Sequence, residues 1–331
     1  MDQIKSFMAE KLTKTYQKSE IFEEVLISLN KQLNSSQKEL YKDNLEDQTT
    51  IHIIGSPRSG TTVLSQLILS NINVGYINNF IATFWNAPIY GIHLSKKLLG
   101  DNYQSDLKSN FGRTTNLQEP HEFGYFWKHQ LNYKEHLQQT YNKEHKIDWL
   151  NLRNILNQMC FAYQKPILFK SFLYGFHIKK AVQEMPKTLF IYLERDIYQN
   201  AYSILKLRKK MFGDETVWAS MKPEQYSFLK NENIYRQIMG QVLFLNNEYK
   251  KQLKAIPEEN KISINYTNLC ENVEGSINEI FKKINNFTAV ELDYKANNLV
   301  KENNAVIPEN IRLGLEEAEK WLLSTFPELN K

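Results

Sequence analysis

Residues 51–62 of this chain read Ile-His-Ile-Ile-Gly-Ser-Pro-Arg-Ser-Gly-Thr-Thr. The isoleucines predict a short buried strand, and two glycines bracket the loop that follows it. Such a loop can turn its backbone N–H groups inward, and a helix that begins at Thr61 would direct its positive end toward an anion. The stretch therefore predicts a phosphate-binding loop between a strand and a helix.

The loop differs from the ATP-binding P-loop at that motif's characteristic lysine. The ATP-binding motif places this lysine directly after its second glycine, whereas Thr61 stands there in this chain. The only cation within the loop sequence is Arg58. Its planar guanidinium suits bidentate contact with an oxyanion.

The run Arg58-Ser59-Gly60-Thr61-Thr62 resembles the 5′-phosphosulfate loop of sulfotransferases that use 3′-phosphoadenosine-5′-phosphosulfate (PAPS). A second match lies downstream, where the apolar strand 188–193 is followed by Arg195 and, eight positions later, by Ser203. In that family the corresponding Arg and Ser bind the 3′-phosphate of the cofactor. The two matches together identify the chain as a PAPS-dependent sulfotransferase, most similar to bacterial branches.

Strands and helices alternate along the chain, which predicts a parallel sheet covered on both faces. The resemblance implies the P-loop NTPase-like α/β fold of sulfotransferases, with three layers. Residues 1–45 are charged and amphipathic, and we expect a helical addition packed on the core or on a second subunit, a membrane-surface role being the alternative. The remaining residues, 46–331, are predicted to form one α/β domain.

The resemblance assigns the cofactor site residue by residue. Arg58 and the run Ser59-Gly60-Thr61-Thr62 would hold the 5′-phosphosulfate. Arg195 and Ser203 would hold the 3′-phosphate, and Tyr266 would lie near the adenine. Val63 replaces the tryptophan that often stacks on adenine in the family, so another side chain must hold the base.

The 3′-phosphate clamp shows a second departure, because the Arg-Lys-Gly triplet of the animal enzymes is missing. Arg208, Lys209 and Lys210 are possible substitutes, and a solvated helix face is the alternative.

Sulfuryl transfer to a hydroxyl or amine by in-line displacement needs cations around the migrating group and a base for the acceptor. Lys170, at the end of a predicted strand, matches a family position that faces the reaction centre. The animal enzymes have a catalytic His two residues later, where this chain has Phe172. The best candidate bases are Glu119, His121 and Glu122, with the two glutamates ranked above the histidine. A solvated acidic turn that caps the next helix is the alternative.

Composition is consistent with a single folded core. The chain has 331 residues, 42% of them hydrophobic, and a net charge of +4, which is too mild to indicate nucleic-acid binding. Two cysteines, and the absence of a signal-peptide run or a long apolar run, predict a cytoplasmic protein with reduced thiols and no membrane span. A homodimer is possible.

Two other function classes stay open. A P-loop small-molecule kinase would need the missing lysine and a strand-end aspartate for magnesium, and Arg195 would repel that metal. A non-catalytic nucleotide-binding member of the same fold is conceivable, because the histidine near Lys170 is absent. No metal is predicted, since no cluster of ligating residues has suitable spacing. Aromatic residues at 80–90 and 125–127 would suit a sugar, a phenol or a lipid-like alcohol as acceptor, but core packing would explain them equally well.

Overall fold

The centre of the computed structural model is a five-stranded parallel sheet with the order β2-β3-β1-β4-β5. The structure describes residues 12–13, 17, 19–100, 103, 114–133, 146–288, 290–295 and 305–330. The strands are β1 (Thr50–Ile54), β2 (Gly75–Tyr76), β3 (Ile167–Lys170), β4 (Thr188–Glu194) and β5 (Lys261–Asn265). The predicted parallel α/β architecture is confirmed.

Helices cover both faces of this sheet. Those in the described residues are α1 (Glu20–Ser36), α2 (Thr61–Asn71), α3 (Pro88–Leu99), α4 (Gly124–Gln130), α5 (Trp149–Tyr163), α6 (Ile178–Glu184), α7 (Ile197–Phe212), α8 (Tyr226–Leu229), α9 (Ile234–Lys254), α10 (Tyr266–Glu271), α11 (Val273–Phe287) and α12 (Glu309–Thr325). Short 3₁₀ turns lie at Gln37–Leu40, Ile81–Phe84, Tyr174–Phe176, Glu258–Asn260 and Pro327–Asn330.

Alternation along β1 divides the core into two layers. Ile51 and Ile53 pack with apolar residues of α2 and α11 on one face of the sheet. Ile54 faces the other side, where aromatic side chains from α4, α9 and the strands form the larger cluster. Because successive side chains of a strand point to opposite faces, both surfaces of β1 are buried, as expected for a central parallel strand.

The helix that follows β4 begins and ends with ordinary capping signals. The Asp196 side chain accepts a hydrogen bond from the Gln199 N–H, and Gly213 ends α7 in the left-handed region at φ 68°. Arg195 is therefore fixed between the last residue of β4 and the first turn of α7. Its position results from where the strand stops and the helix starts.

Helix α1 lies against the segment between β2 and α3. The Asn30 amide donates to the Thr83 carbonyl at 2.7 Å and accepts from the Asn86 N–H at 2.8 Å. The Tyr125 hydroxyl donates to Glu23 at 2.5 Å. Residues 20–36 are helical, while residues 1–11, 14–16 and 18 of the predicted N-terminal segment lie outside the described residues. No helix in the described ranges has both the length and the apolar character that a bilayer span requires.

His52 occupies the middle of β1 and is completely buried. Its ring lies 4.3 Å from the Tyr174 ring and 5.1 Å from the Phe169 ring, measured between centroids. Trp127 and Phe190 complete the aromatic surroundings. Because burial disfavours the charged imidazolium, the pKa of His52 is lowered to about 3.

This burial predicts a pH-dependent stability. The unfolded chain binds a proton at His52 below about pH 6.5, whereas the folded protein does so only near pH 3. The contribution of His52 to the free energy of unfolding is thus greatest above pH 6.5. It decreases by about 1.4 kcal/mol per pH unit as the pH falls from 6.5 toward 3. Urea unfolding of the wild type and of His52→Phe from pH 7 to pH 5 measures the difference. Parallel stability profiles for the two proteins would contradict the assignment.

Candidate active site

The loop between β1 and α2 has a tight, partly left-handed backbone. Arg58 has φ 70° and Gly60 has φ 104°, and the Ser59 N–H donates to the Ser56 carbonyl at 3.1 Å. A Cβ atom placed on Gly60 would lie 2.3 Å from the Tyr266 ring. Glycine is therefore required at position 60 for both conformation and space.

The two motifs recognised in the sequence meet at this loop. Arg58 Nε donates to Ser203 Oγ at 3.2 Å, and Arg195 Nη1 donates to the Arg58 carbonyl at 3.0 Å. The Arg195 guanidinium lies 4.4 Å from the centroid of the Tyr266 ring. Residues from the loop after β1, from the residue that follows β4, and from α7 and α10 thus form one cationic group, although they are far apart in the sequence.

Tyr266 itself is fully buried, between Gly60 and Arg195. One face of its ring is covered by the guanidinium, which is a favourable arrangement for a cation and an aromatic ring. Tyr266 thus supports the loop and orients Arg195.

A second set of contacts lies at the end of β3. Lys170 Nζ donates to Thr62 Oγ1 at 2.8 Å and lies 3.2 Å from Glu122 Oε1. The Lys170 side chain is only 2% exposed, whereas that of Glu122 is 42% exposed. A buried cation therefore connects the start of α2 with a carboxylate that solvent or an acceptor can reach.

The structure separates the three candidate bases. Glu119 is buried, and its Oε2 accepts from Gln66 Nε2 at 2.7 Å and from the Tyr103 hydroxyl at 2.9 Å. His121 Nδ1 accepts from the Phe123 N–H at 2.9 Å, which places the proton of a neutral ring on Nε2. Glu122 contacts Lys170 and remains accessible, so an entering hydroxyl can reach a carboxylate that lies beside a buried cation.

The His177 imidazole and the Arg208 guanidinium have partners outside these two groups of contacts. His177 Nε2 lies 2.9 Å from the Tyr133 hydroxyl. Arg208 is fully buried and donates to Gln237 at 2.9 Å on α9, and burial lowers its pKa to about 10. Lys209 and Lys210 are exposed, as the alternative of a solvated face predicted.

Several residues at the site were not identified from the sequence. Gln66 and Tyr103 hold Glu119, and Asn200 contacts the loop from α7. Asn200 lies three residues before Ser203, so helical spacing places both on the same face and would have indicated it. Gln66 and Tyr103 carry no comparable signal in a single sequence.

The loop and the first turn of α2 fit an anion. No side chain caps the N-terminus of α2, so its first N–H groups are directed into the loop. Ser59 Oγ is buried and has no hydrogen-bond partner among the described residues. With Arg58 beside them, these donors suit the oxygens of a phosphate or sulfate group. The part of the chain that the structure describes contains no group of three or more residues suited to hold a metal ion.

Comparisons with known proteins point in one direction. The model of the sulfotransferase family matches residues 50–286. Two curated relatives, the omega-hydroxy-beta-dihydromenaquinone-9 sulfotransferases Stf3 of Mycobacterium bovis and Mycobacterium tuberculosis, are each 22% identical over 299 residues, covering 78% of this chain and 72% of the relative. The crystal structure of sulfotransferase STF1 from Mycobacterium tuberculosis H37Rv matches with a TM-score of 0.55 at 12% identity, covering 95% of this chain and 84% of that chain. This last likeness shows the fold alone.

The close approach of Gly60 to Tyr266 predicts an asymmetry between two glycine substitutions. Gly60→Ala should lower the free energy of unfolding by about 3 kcal/mol, because the added methyl group meets the ring in a left-handed backbone. Gly213→Ala is the matched control, since Gly213 is also left-handed (φ 68°) but has no atom within 4 Å of the added methyl, and it should cost about 1 kcal/mol. Urea unfolding measures both. Equal costs would contradict the steric role of Tyr266.

Proposed function

We propose that this chain, which belongs to the sulfotransferase family, takes its sulfuryl group from PAPS and transfers it to a hydroxyl or amine acceptor with Glu122 as general base. Sulfuryl transfer is the reaction of the family to which it belongs, and the donor, the base and the acceptor class are the proposal. The single observation that carries the proposal is that Lys170 contacts both Thr62, at the start of α2, and Glu122, which is accessible.

The proposed donor fits the residues at the loop. Arg58 and the run Ser59-Gly60-Thr61-Thr62 would hold the 5′-phosphosulfate, and Arg195 with Ser203 would hold the 3′-phosphate. Tyr266 would support this site by packing against Gly60 and the Arg195 guanidinium. When bound, PAPS supplies an activated sulfuryl group and a phosphate leaving group. Arg58 would balance the negative charge on this group, since a guanidinium matches the geometry of oxyanions.

We assign Glu122 and Lys170 different roles in the transfer step. Glu122 would accept the proton of the acceptor hydroxyl, because its carboxylate is accessible and lies beside Lys170, which contacts the start of α2. Lys170 is held in place by Thr62 and by burial, so its positive charge is positioned before any substrate arrives. Glu119 would hold the segment that carries Glu122 against α2 through Gln66. His121 stays the weaker alternative base.

For the acceptor, we propose a lipid-like alcohol as the first class to test. The two curated relatives are named for a hydroxylated menaquinone, which is such a molecule. Among the aromatic residues that suggested an acceptor pocket, Phe126 and Trp127 are fully buried, so core packing accounts for them, while Tyr125 is partly exposed. A division at residue 45 and a homodimer stay predictions.

Substitution of the candidate bases tests the assignment. Glu122→Gln should lower kcat by roughly 10²- to 10⁴-fold, since it removes proton transfer, and should leave the affinity for adenosine 3′,5′-bisphosphate within about twofold. Glu119→Gln is the matched control, which should mainly lower stability, and His121→Ala should retain most activity. Transfer of labelled sulfate to an acceptor found by screening hydroxylated lipids, phenols and sugars gives kcat. Full activity of Glu122→Gln would exclude it as the base.

Nucleotide binding tests the donor independently of the acceptor. Adenosine 3′,5′-bisphosphate at ~100 times its dissociation constant should stabilise the wild type by about 2.7 kcal/mol without magnesium, measured by thermal shift. Arg195→Ala should bind it more weakly. Stabilisation by ATP with magnesium alone would contradict the proposed donor and favour a P-loop kinase.

A further inference from the structure

Asn200 is fully buried on α7, yet both ends of its amide are used by the loop. The Ser56 hydroxyl donates to Asn200 Oδ1 at 2.5 Å, and Asn200 Nδ2 donates to the Pro57 carbonyl at 2.5 Å. Ser56 is itself buried. The Asn200 side chain on α7 therefore bridges two consecutive residues of the loop between β1 and α2.

These contacts complete a three-point attachment of the loop. Asn200 holds Ser56 and Pro57, Arg195 holds the Arg58 carbonyl, and Ser203 contacts the Arg58 side chain. All three attachments come from the end of β4 and the first turns of α7.

The attachment has a conformational task. Arg58 is not a glycine, yet its φ of 70° lies in the left-handed region, a strained conformation that persists only where neighbouring contacts hold it. Asn200 fixes the two residues that immediately precede Arg58. No direct contact between Asn200 and a bound anion is needed for this effect, because the amide acts through the backbone of the loop.

We propose that Asn200 is a positioning residue, which holds residues 56–58 in the conformation that binds the 5′ anion of the nucleotide. Without the amide, the Ser56 hydroxyl and the Pro57 carbonyl would be buried with no partner, and the loop would move to satisfy them. The donors that bind the anion would then lose their alignment. The inference rests on the proposed function, since it concerns how the same loop binds a nucleotide.

Two nucleotides that differ only at the 5′ position separate positioning from a general structural effect. We would titrate wild type, Asn200→Ala and Ser56→Ala with adenosine 3′,5′-bisphosphate and with adenosine 3′-monophosphate by calorimetry, below the melting temperature of each protein. Gln199→Ala is the matched control. It removes a neighbouring amide of α7 that donates to the Ala305 carbonyl at 3.1 Å and makes no hydrogen bond to the loop among the described residues. Ser56→Ala removes only a hydroxyl oxygen and keeps the test valid if Asn200→Ala fails to fold.

The expected result is selective. Both loop variants should bind the bisphosphate roughly 10- to 100-fold more weakly, because small misplacements of binding groups have effects of this size. Their affinity for the 3′-monophosphate, and both affinities of the control, should stay within about twofold. Equal weakening toward both nucleotides, or unchanged affinity for the bisphosphate, would overturn the inference. A wild type that binds neither nucleotide would overturn the proposed donor instead.

Discussion

The pairing of β1 between β3 and β4 is the constraint on which the site depends. In this register Ile53 is level with Lys170 on one side and with Ile191 on the other. Because all three strands are parallel, their carboxyl ends lie at the same edge of the sheet, and the chain connections that follow β1 and β4 lead in opposite directions. Lys170, the loop between β1 and α2, and Arg195 therefore converge without any of them being close in sequence.

Local signals made this convergence predictable. The apolar strand, the glycines and the hydroxyl-rich helix start of residues 51–62 indicate a single structure, and Arg195 with Ser203 carries a second signal at a fixed spacing. The roles of Glu119 and Glu122 could not be predicted in the same way. They depend on a turn in which Phe123 adopts a φ of 54°, and on contacts of Glu119 with Gln66 and Tyr103 that no local pattern encodes.

Two helices outside the motifs were not predicted from the sequence, for different reasons. The aromatic residues at 80–90 carried no helix prediction, but the second part of this segment begins α3, with Pro88 in the first helical turn, where proline is tolerated. Helix α12 was not assigned, although Leu315, Ala318 and Leu322 have helical spacing and are all buried in the cluster that α7 and α9 share. The first case reflects an aromatic composition without clear periodicity. The second was readable from the pattern.

The contacts of α1 have a consequence for where an autonomous folding unit begins and ends. The family match starts at residue 50, but Glu23 accepts a hydrogen bond from the hydroxyl of Tyr125, three residues beyond Glu122. Asp47 pairs with Arg153 on α5, and Asn30 satisfies backbone groups before α3. A fragment trimmed to the family boundaries would therefore leave these polar groups without their partners, among them the Tyr125 hydroxyl close to the proposed base. The residues matched by the family model are therefore fewer than those whose contacts hold the candidate site in its conformation.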